Sequence, residues 1–392
     1  MFSTRTNWPL SRNPYTVALD ELRSSGVPLL DLTASNPTHC GFHYNSAEIL
    51  SAFQSPAALA YDPLPKGSPA ARREVARYYL DDHQTALDPE SLFLTTSTSE
   101  AYSYVFRLLC DSGDELLVAK PSYPLFEFLA DLQDVKLVPY SLAYAHGWFI
   151  DFQSLERAIT SRTRAILLVH PNNPTGSYVH PGEAANLNAL CAKHNLALIV
   201  DEVFLDFPFH PPPLKTFAAS SAALTFTLSG LSKISALPQM KIAWLAVTGP
   251  PDLVKPAIDR LEIIADTFLS LSGPAQAALF TLLAQRHSLR AQILDRVREN
   301  RAQLQSLLRA QSHIELLHAD AGWYAVLRVP LSPNSPHASD EALAIHLLRQ
   351  HHVLVHPGHF YDFPSNNHIV VSLITPPSDF RLGIEALLLS QS

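Results

Sequence analysis

Glycine is scarce in this chain, 13 of 392 residues, against a usual share of about 7%. No Gly-x-Gly-x-x-Gly and no Gly-x-x-x-x-Gly-Lys-Ser/Thr occurs, which excludes dinucleotide and Walker-type phosphate loops. Any phosphate must be held by another device. Cysteine is scarcer: Cys40, Cys110 and Cys191 are odd in number, far apart and form no Cys-x-x-Cys pair. That argues against a disulfide framework or a structural zinc site and suits a reducing compartment. Basic blocks are missing too. With 28 Lys/Arg against 36 Asp/Glu and a net charge of −8, nucleic acid and anionic membrane are not expected partners. No aliphatic run approaches the ~20 residues of a membrane helix, and residues 1–10 carry no apolar core of signal-peptide length. The expectation is a soluble, cytoplasmic protein. The 18 histidines never fall into His-Glu-x-x-His or a zinc spacing, and no Gly-x-Ser-x-Gly elbow appears.

What is present is a long α/β pattern. A chain of 392 residues suits two domains, or one large domain and a smaller lobe. Short aliphatic runs at 92–95, 115–119, 136–139, 165–169, 196–200, 224–228 and 242–247 alternate with helical periodicity at 99–110, 123–132, 152–158 and 181–194. Continuous apolar strands between helices predict a mainly parallel sheet buried on both faces. An amphipathic helix is predicted at 69–80, and a long helix with a charged face from 274 to about 310. The latter leads to a second lobe with strands at 323–329 and 369–374 and a helix at 340–349. Residues 28–32 read as a short strand after an irregular arm, and the prolines of 210–213 and 331–336 as surface loops. The predicted division is an arm and part of the small domain at 1–50, a large domain at 51–290 and a small C-terminal domain at 291–392.

Three residues on this frame carry chemistry. Asp201 follows the run Leu-Ala-Leu-Ile-Val, and a carboxylate at the end of a central parallel strand points into the crevice where such sheets bind ligands. Asn173 sits in His-Pro-Asn-Asn-Pro-Thr-Gly after another buried run, and Lys233 in Ser-Gly-Leu-Ser-Lys-Ile-Ser. A carboxylate facing a pyridine nitrogen, an amide on a phenolic oxygen and a lysine forming a Schiff base are what holding pyridoxal phosphate (PLP) requires. Ser97, Thr98 and Ser99 open a helix after the run 92–95; free N–H groups and hydroxyls there form an anion site without glycine. Tyr123 is placed to stack on a flat ring. Taken singly, each has a commoner role: a cap for Asp201 or Ser97, a turn for Asn173, packing for Tyr123, a solvated charge for Lys233. The paired histidines at 351–352 and at 356 and 359 read as structural.

Their order and spacing resemble the class I/II aminotransferases (the aspartate aminotransferase family) of fold-type I PLP enzymes. Asn36-Pro37, Tyr61 with Gly67 and Arg72, Ser97-Thr98-Ser99, Pro121 to Pro124, Asn173 to Gly176, Asp201-Glu202-Val203, Ser232-Lys233 and Pro357 to Phe360 carry the likeness. The resemblance implies a large domain with a mostly parallel central sheet plus a smaller α+β domain. It implies an aminotransferase moving an amino group between an amino acid (or amine) and a 2-oxo acid by ping-pong chemistry, with Lys233 shuttling the proton, Asp201 on the ring nitrogen, Asn173 on the phenolate and Tyr123 on the ring. Ser97, Thr98, Ser99, Ser232 and Lys241 would line the phosphate. Tyr61 would reach the phosphate of a neighbouring subunit, making a homodimer with active sites at its interface. The chain departs from the family at four positions. Phe204 replaces a Tyr that bonds the phenolic oxygen, which should raise the imine pKa. Lys241 replaces Arg, giving a point charge instead of a fork. Gly230 replaces a phosphate-binding Ser. Val370 falls on the Arg that grips the substrate carboxylate, so either another cation serves (Arg12, Lys66 and His359 are candidates) or the substrate lacks that carboxylate. The alternative reaction is a PLP-dependent lyase, decarboxylase or amine-directed enzyme.

Overall fold

The structure is a computed structural model describing residues 1–391 except 212–214, 221, 312 and 332–336, with the backbone alone of 310 and 311. Its centre is an eight-stranded sheet. The order is Leu92–Thr95, Ala243–Thr248, Thr225–Gly230, Ala197–Asp201, Thr163–Val169, Glu115–Lys120, Lys136–Tyr144 and Trp148–Ile150. The five strands from Thr225–Gly230 to Lys136–Tyr144 are mutually parallel. Ala243–Thr248 runs antiparallel to both its neighbours, and Trp148–Ile150 is an antiparallel edge.

Why these runs make central strands is visible in their burial. Every residue of Ala197–Asp201 and Thr225–Gly230 is buried. Side chains alternate between faces, and both faces are covered. Ala165, Leu167, Val169, Ala197 and Ile199 pack with Ala101, Val105, Ala257 and Leu261 of the helices Thr98–Leu109 and Pro251–Phe268. Ile166, Leu168, Leu198 and Val200 pack with Leu187 and Leu190 of Pro181–His194.

A second sheet, antiparallel, has the order Glu315–Leu316, Tyr324–Arg328, His368–Ser372 and His356–Pro357. The helices Asp340–His351, Arg286–Gln311 and Pro377–Leu389 lie in its core cluster. Leu30–Asp31 pairs parallel with Val353–Leu354, so the N-terminal segment belongs structurally with the C-terminal elements. A buried ionic network fastens Arg286–Gln311 to the rest. Arg286 grips Asp82 at 3.0 Å, and Arg290 bridges Asp82 at 2.6 Å and Asp206 at 2.8 Å. The Tyr78 hydroxyl donates to Asp206 at 2.6 Å.

Several expectations need correction. The arm is not irregular, because Pro14–Ser25 is a helix. Its signals were local: Asn13 caps it by accepting from the Thr16 N–H, Pro14 stands at its first position, and Gly26 ends it at φ +74°. The single helix expected from 274 to 310 is two, Gly273–Ala284 and Arg286–Gln311, separated at Gln285. Pro251–Phe268 was not anticipated, since Pro256 inside it reads as a breaker, and neither was Pro377–Leu389. Of the two proline loops, 212–213 and 332–336 lie outside the described residues.

Candidate active site

The carboxyl ends of the parallel strands open into a cavity of about 420 Å³, where an α/β sheet gathers its ligands. Asp201 is the last residue of Ala197–Asp201. Its carboxylate accepts from the Tyr102 hydroxyl at 2.9 Å and from the Val203 N–H at 3.0 Å. Burial pushes its pKa up to about 6, against the pull of those donors and of Lys233. Lys233 projects from a short helix, Leu231–Ile234, directly after Thr225–Gly230. Its Nζ donates to the Ser35 carbonyl at 3.2 Å and lies 4.8 Å from the Trp323 ring centroid and 5.6 Å from that of Phe204. Burial pushes the amine down to about 8, with Asp201 opposing. A lysine so placed carries a substantial neutral, nucleophilic fraction near neutrality.

The neighbouring segments explain which polar groups stay free. In Asn172–Asn173–Pro174–Thr175–Gly176 it is Asn172 that makes the turn. Its Oδ1 accepts from the Thr175 hydroxyl at 2.9 Å and its carbonyl accepts from the Gly176 N–H at 2.8 Å. Asn173 is left facing the cavity with a buried Oδ1 that has no partner. Ser97 caps the helix Thr98–Leu109 by accepting from the Glu100 N–H at 3.2 Å. Glu100, in the first turn of the helix, accepts from the Thr96 N–H at 2.7 Å and the Ser270 hydroxyl at 2.8 Å. Among the described residues the Thr98 and Ser99 N–H groups find no acceptor, and both residues line the cavity. Such a helix start favours an anion. Gly230 answers to sterics: a Cβ there would lie 2.8 Å from the Ala243 Cβ and 2.9 Å from the Ile242 carbonyl oxygen.

Of the residues singled out in the sequence, Thr98, Ser99, Tyr123, Asn173, Asp201, Phe204, Ser232 and Lys233 share the wall of this cavity. Ser97, Lys241 and Tyr61 do not. Ser97 is a cap, Lys241 is exposed after the turn Pro238–Met240, and Tyr61 is 82% exposed. Arg12, Lys66 and His359 are also outside the wall, and each meets an acid: Asp20 at 2.9 Å, Glu90 at 3.0 Å and Asp340 at 3.2 Å. Val370 is wholly buried and does not line the cavity. Sequence reasoning missed Tyr102, Ser35, Tyr324, Tyr361 and His356, all in the wall. Tyr102 lies on a predicted helix one turn past the serines, which was its only signal; His356 was noticed and read as structural.

These side chains fit PLP: an amine of lowered pKa for its aldehyde, a buried carboxylate for its ring nitrogen, an unpartnered amide, and a helix start for its phosphate. Comparison agrees. A family model for aminotransferase class I and II matches residues 28–386, and the chain belongs to that family. It is a PLP-dependent aminotransferase, acting on amino acids and 2-oxo acids. It is 26% identical over 377 residues to the glutamate-pyruvate aminotransferase AlaA of Escherichia coli K12, covering 95% of this chain and 93% of that one. It is 28% identical over 383 residues to the alanine aminotransferase of Mycobacterium tuberculosis H37Rv, covering 96% and 88%. The crystal structure of an aminotransferase from E. coli superposes with a TM-score of 0.88 at 25% identity, covering 99% and 97%. The lyase or decarboxylase reading finds no counterpart in these relatives.

Proposed function

We propose that Lys233 is the covalent anchor and the proton carrier of a ping-pong transamination. PLP supplies an aldehyde that condenses with amines and a ring that draws electrons from the bonds at the substrate α-carbon. Around it Asp201 keeps the ring nitrogen protonated, Asn173 donates its amide to the phenolic oxygen, and Tyr123 covers the ring. Thr98, Ser99 and Ser232, with the two free helix N–H groups, would receive the phosphate, and Phe204, in the same wall, offers no hydrogen bond. Once the substrate amine has displaced it from PLP, the freed Lys233 amine would take the proton from the substrate α-carbon and hand it to the former aldehyde carbon of the cofactor. The observation that carries this reading is one cavity holding the Lys233 amine, the Asp201 carboxylate and the Asn173 side chain. The names of the relatives make alanine and glutamate the first donors to try and pyruvate the first acceptor.

We assign the large domain to 51–290 and the small domain to 291–392 joined by residues of the 1–50 arm, with the cavity between the two sheets. The working unit is taken to be a homodimer in which Tyr61 reaches the partner's phosphate site, while Lys241 would stand near the phosphate of its own subunit. Tyr61 is exposed, and so are Leu59 and Phe280, which lie on the packed elements Pro56–Leu59 and Gly273–Ala284; uncovered apolar side chains of this kind favour association. A cytoplasmic location accompanies it, on the strength of three free cysteines; among the described residues no single helix is long and apolar enough to cross a membrane.

Borohydride reduction of the PLP-loaded protein followed by peptide mapping tests the anchor. The label is expected on Lys233, and a label on another lysine, or none, refutes the assignment. Sedimentation tests the dimer, where a monomer that transaminates at full rate would exclude the role given to Tyr61.

A further inference from the structure

We propose that His356 receives the carboxylate of the amino-acid and 2-oxo-acid substrates through its Nε2–H, with the Tyr361 hydroxyl fixing the ring's tautomer. The inference rests on the transaminase reading above and adds to it the group that recognises the substrate acid.

Both substrates of such an enzyme carry a carboxylate, and a carboxylate leaving water needs a donor to meet it. No arginine lines the cavity among the described residues. Two basic side chains do, Lys233 and His356. Lys233 is committed to the cofactor. That leaves one imidazole.

Its position follows from the ladder. His356 lies directly opposite Val370, and Val370 lies opposite Val326 on its other side. Residues directly opposed in antiparallel strands share a face of the sheet. Tyr324, two residues before Val326, shares it as well, and Tyr324 lines the cavity. Position 370 therefore faces the same way as His356, but a valine is too short and too apolar to reach an acid. It fills the gap between Val326 and His356, and the imidazole is the polar group this face presents.

The hydrogen bonding points the same way. His356 Nδ1 lies 2.8 Å from the Tyr361 hydroxyl, and that hydroxyl has no other partner among the described residues. Burial holds Tyr361 a neutral phenol, its pKa well above the ordinary value. A neutral phenol can donate its O–H to Nδ1, the arrangement that puts the ring proton on Nε2, and it is the arrangement the proposal assigns. Nε2 has no protein acceptor among the described residues. Burial pushes His356 down to about 4, against a smaller upward pull from Asp31, so the imidazole is neutral near pH 7 and its N–H is a donor.

The experiment compares each amino acid with the amine that lacks its carboxylate: L-alanine with ethylamine, L-leucine with isoamylamine, L-phenylalanine with phenethylamine. Half-saturation is read from the absorbance change of the PLP-loaded protein, in wild type, His356→Leu and His356→Gln. In His356→Leu the amino-acid constants are expected to rise ~10- to 100-fold, the value of a hydrogen bond to a charged group, while the amine constants stay put. Gln, whose amide nitrogen stands near the position of Nε2, should restore part of the preference. Unchanged cofactor absorbance shows that the variants hold an intact site. Equal losses for acid and amine, or an unchanged preference in both variants, overturn the inference and leave the transaminase reading standing. A wild-type protein that responds to no amino acid removes that reading, and this inference with it.

Discussion

In a Tyr102→Phe variant the Asp201 carboxylate keeps one of its two donors. The Tyr102 ring contacts to Phe106 and Phe126, at 5.9 and 5.2 Å between centroids, do not involve the hydroxyl, so the loss is confined to the 2.9 Å bond. A hydrogen bond to a charged group contributes about 1.5–3 kcal/mol, and one pKa unit corresponds to about 1.4 kcal/mol. Asp201, held by burial at about 6, should therefore rise by roughly one to two units. Its ionised fraction at pH 7 falls from about nine-tenths to between about one-half and one-tenth. The assay is capture of PLP by the apoprotein, followed by absorbance from pH 6 to 9 in wild type and variant. Lys233, at about 8, titrates in both, so the ratio of capture rates isolates Asp201. That ratio should favour wild type several-fold at pH 7, more at pH 6, and converge to about one near pH 9. A ratio that is flat across the range, or grows with pH, refutes the claim that an ionised Asp201 recruits the ring.

Gly230→Ala drives a Cβ against Ala243 and the Ile242 carbonyl; a loss of about 1–3 kcal/mol and weaker PLP retention are expected, read by thermal unfolding with and without PLP, and an unshifted midpoint would show that the two strands part freely. Arg290→Met leaves Asp82 with Arg286 alone and Asp206 with Tyr78, both acids buried; about 3–5 kcal/mol of stability should go, and wild-type unfolding in the variant would contradict the network's role. Glu202 is buried, accepts from the Thr216 hydroxyl and the Phe217 N–H at 2.6 Å each, and burial raises its pKa to about 8 from 4.5. The folded state then keeps a proton that the unfolded chain has lost, so its contribution is complete below pH 4.5 and declines as pH rises toward 8. Glu202→Gln should remove that decline; parallel stability profiles for the two proteins between those limits would exclude it.

The frame was legible because its strands are buried on both faces. Ala197–Asp201 has no polar side before Asp201, and a run of that kind between helical segments admits few other readings. The place of Asp201 at a strand end followed from the same pattern. What escaped has physical causes. Pro256 breaks helices more often than it sits inside them, so Pro251–Phe268 was hidden. Asn172 and Asn173 are chemically identical in the sequence, and only the turn decides which amide is spent on Thr175 and which is left facing the cavity. Ser97 and Thr98 differ by one residue, yet one caps its helix and the other faces the cavity. Tyr102 and His356 depend on side-chain direction and on strand register, which no local spacing encodes: His356 meets Val370 only because two short strands from the last quarter of the chain align.

The Trp323 indole is wholly buried and sits 4.8 Å from the Lys233 amine. Of the four tryptophans, it is the one beside the amine proposed to carry the coenzyme. A chromophore that absorbs where indole emits, held that close, drains its excited state. Loading of the site can therefore be followed by dimming of the protein's own ultraviolet emission, with no dye attached and no turnover needed.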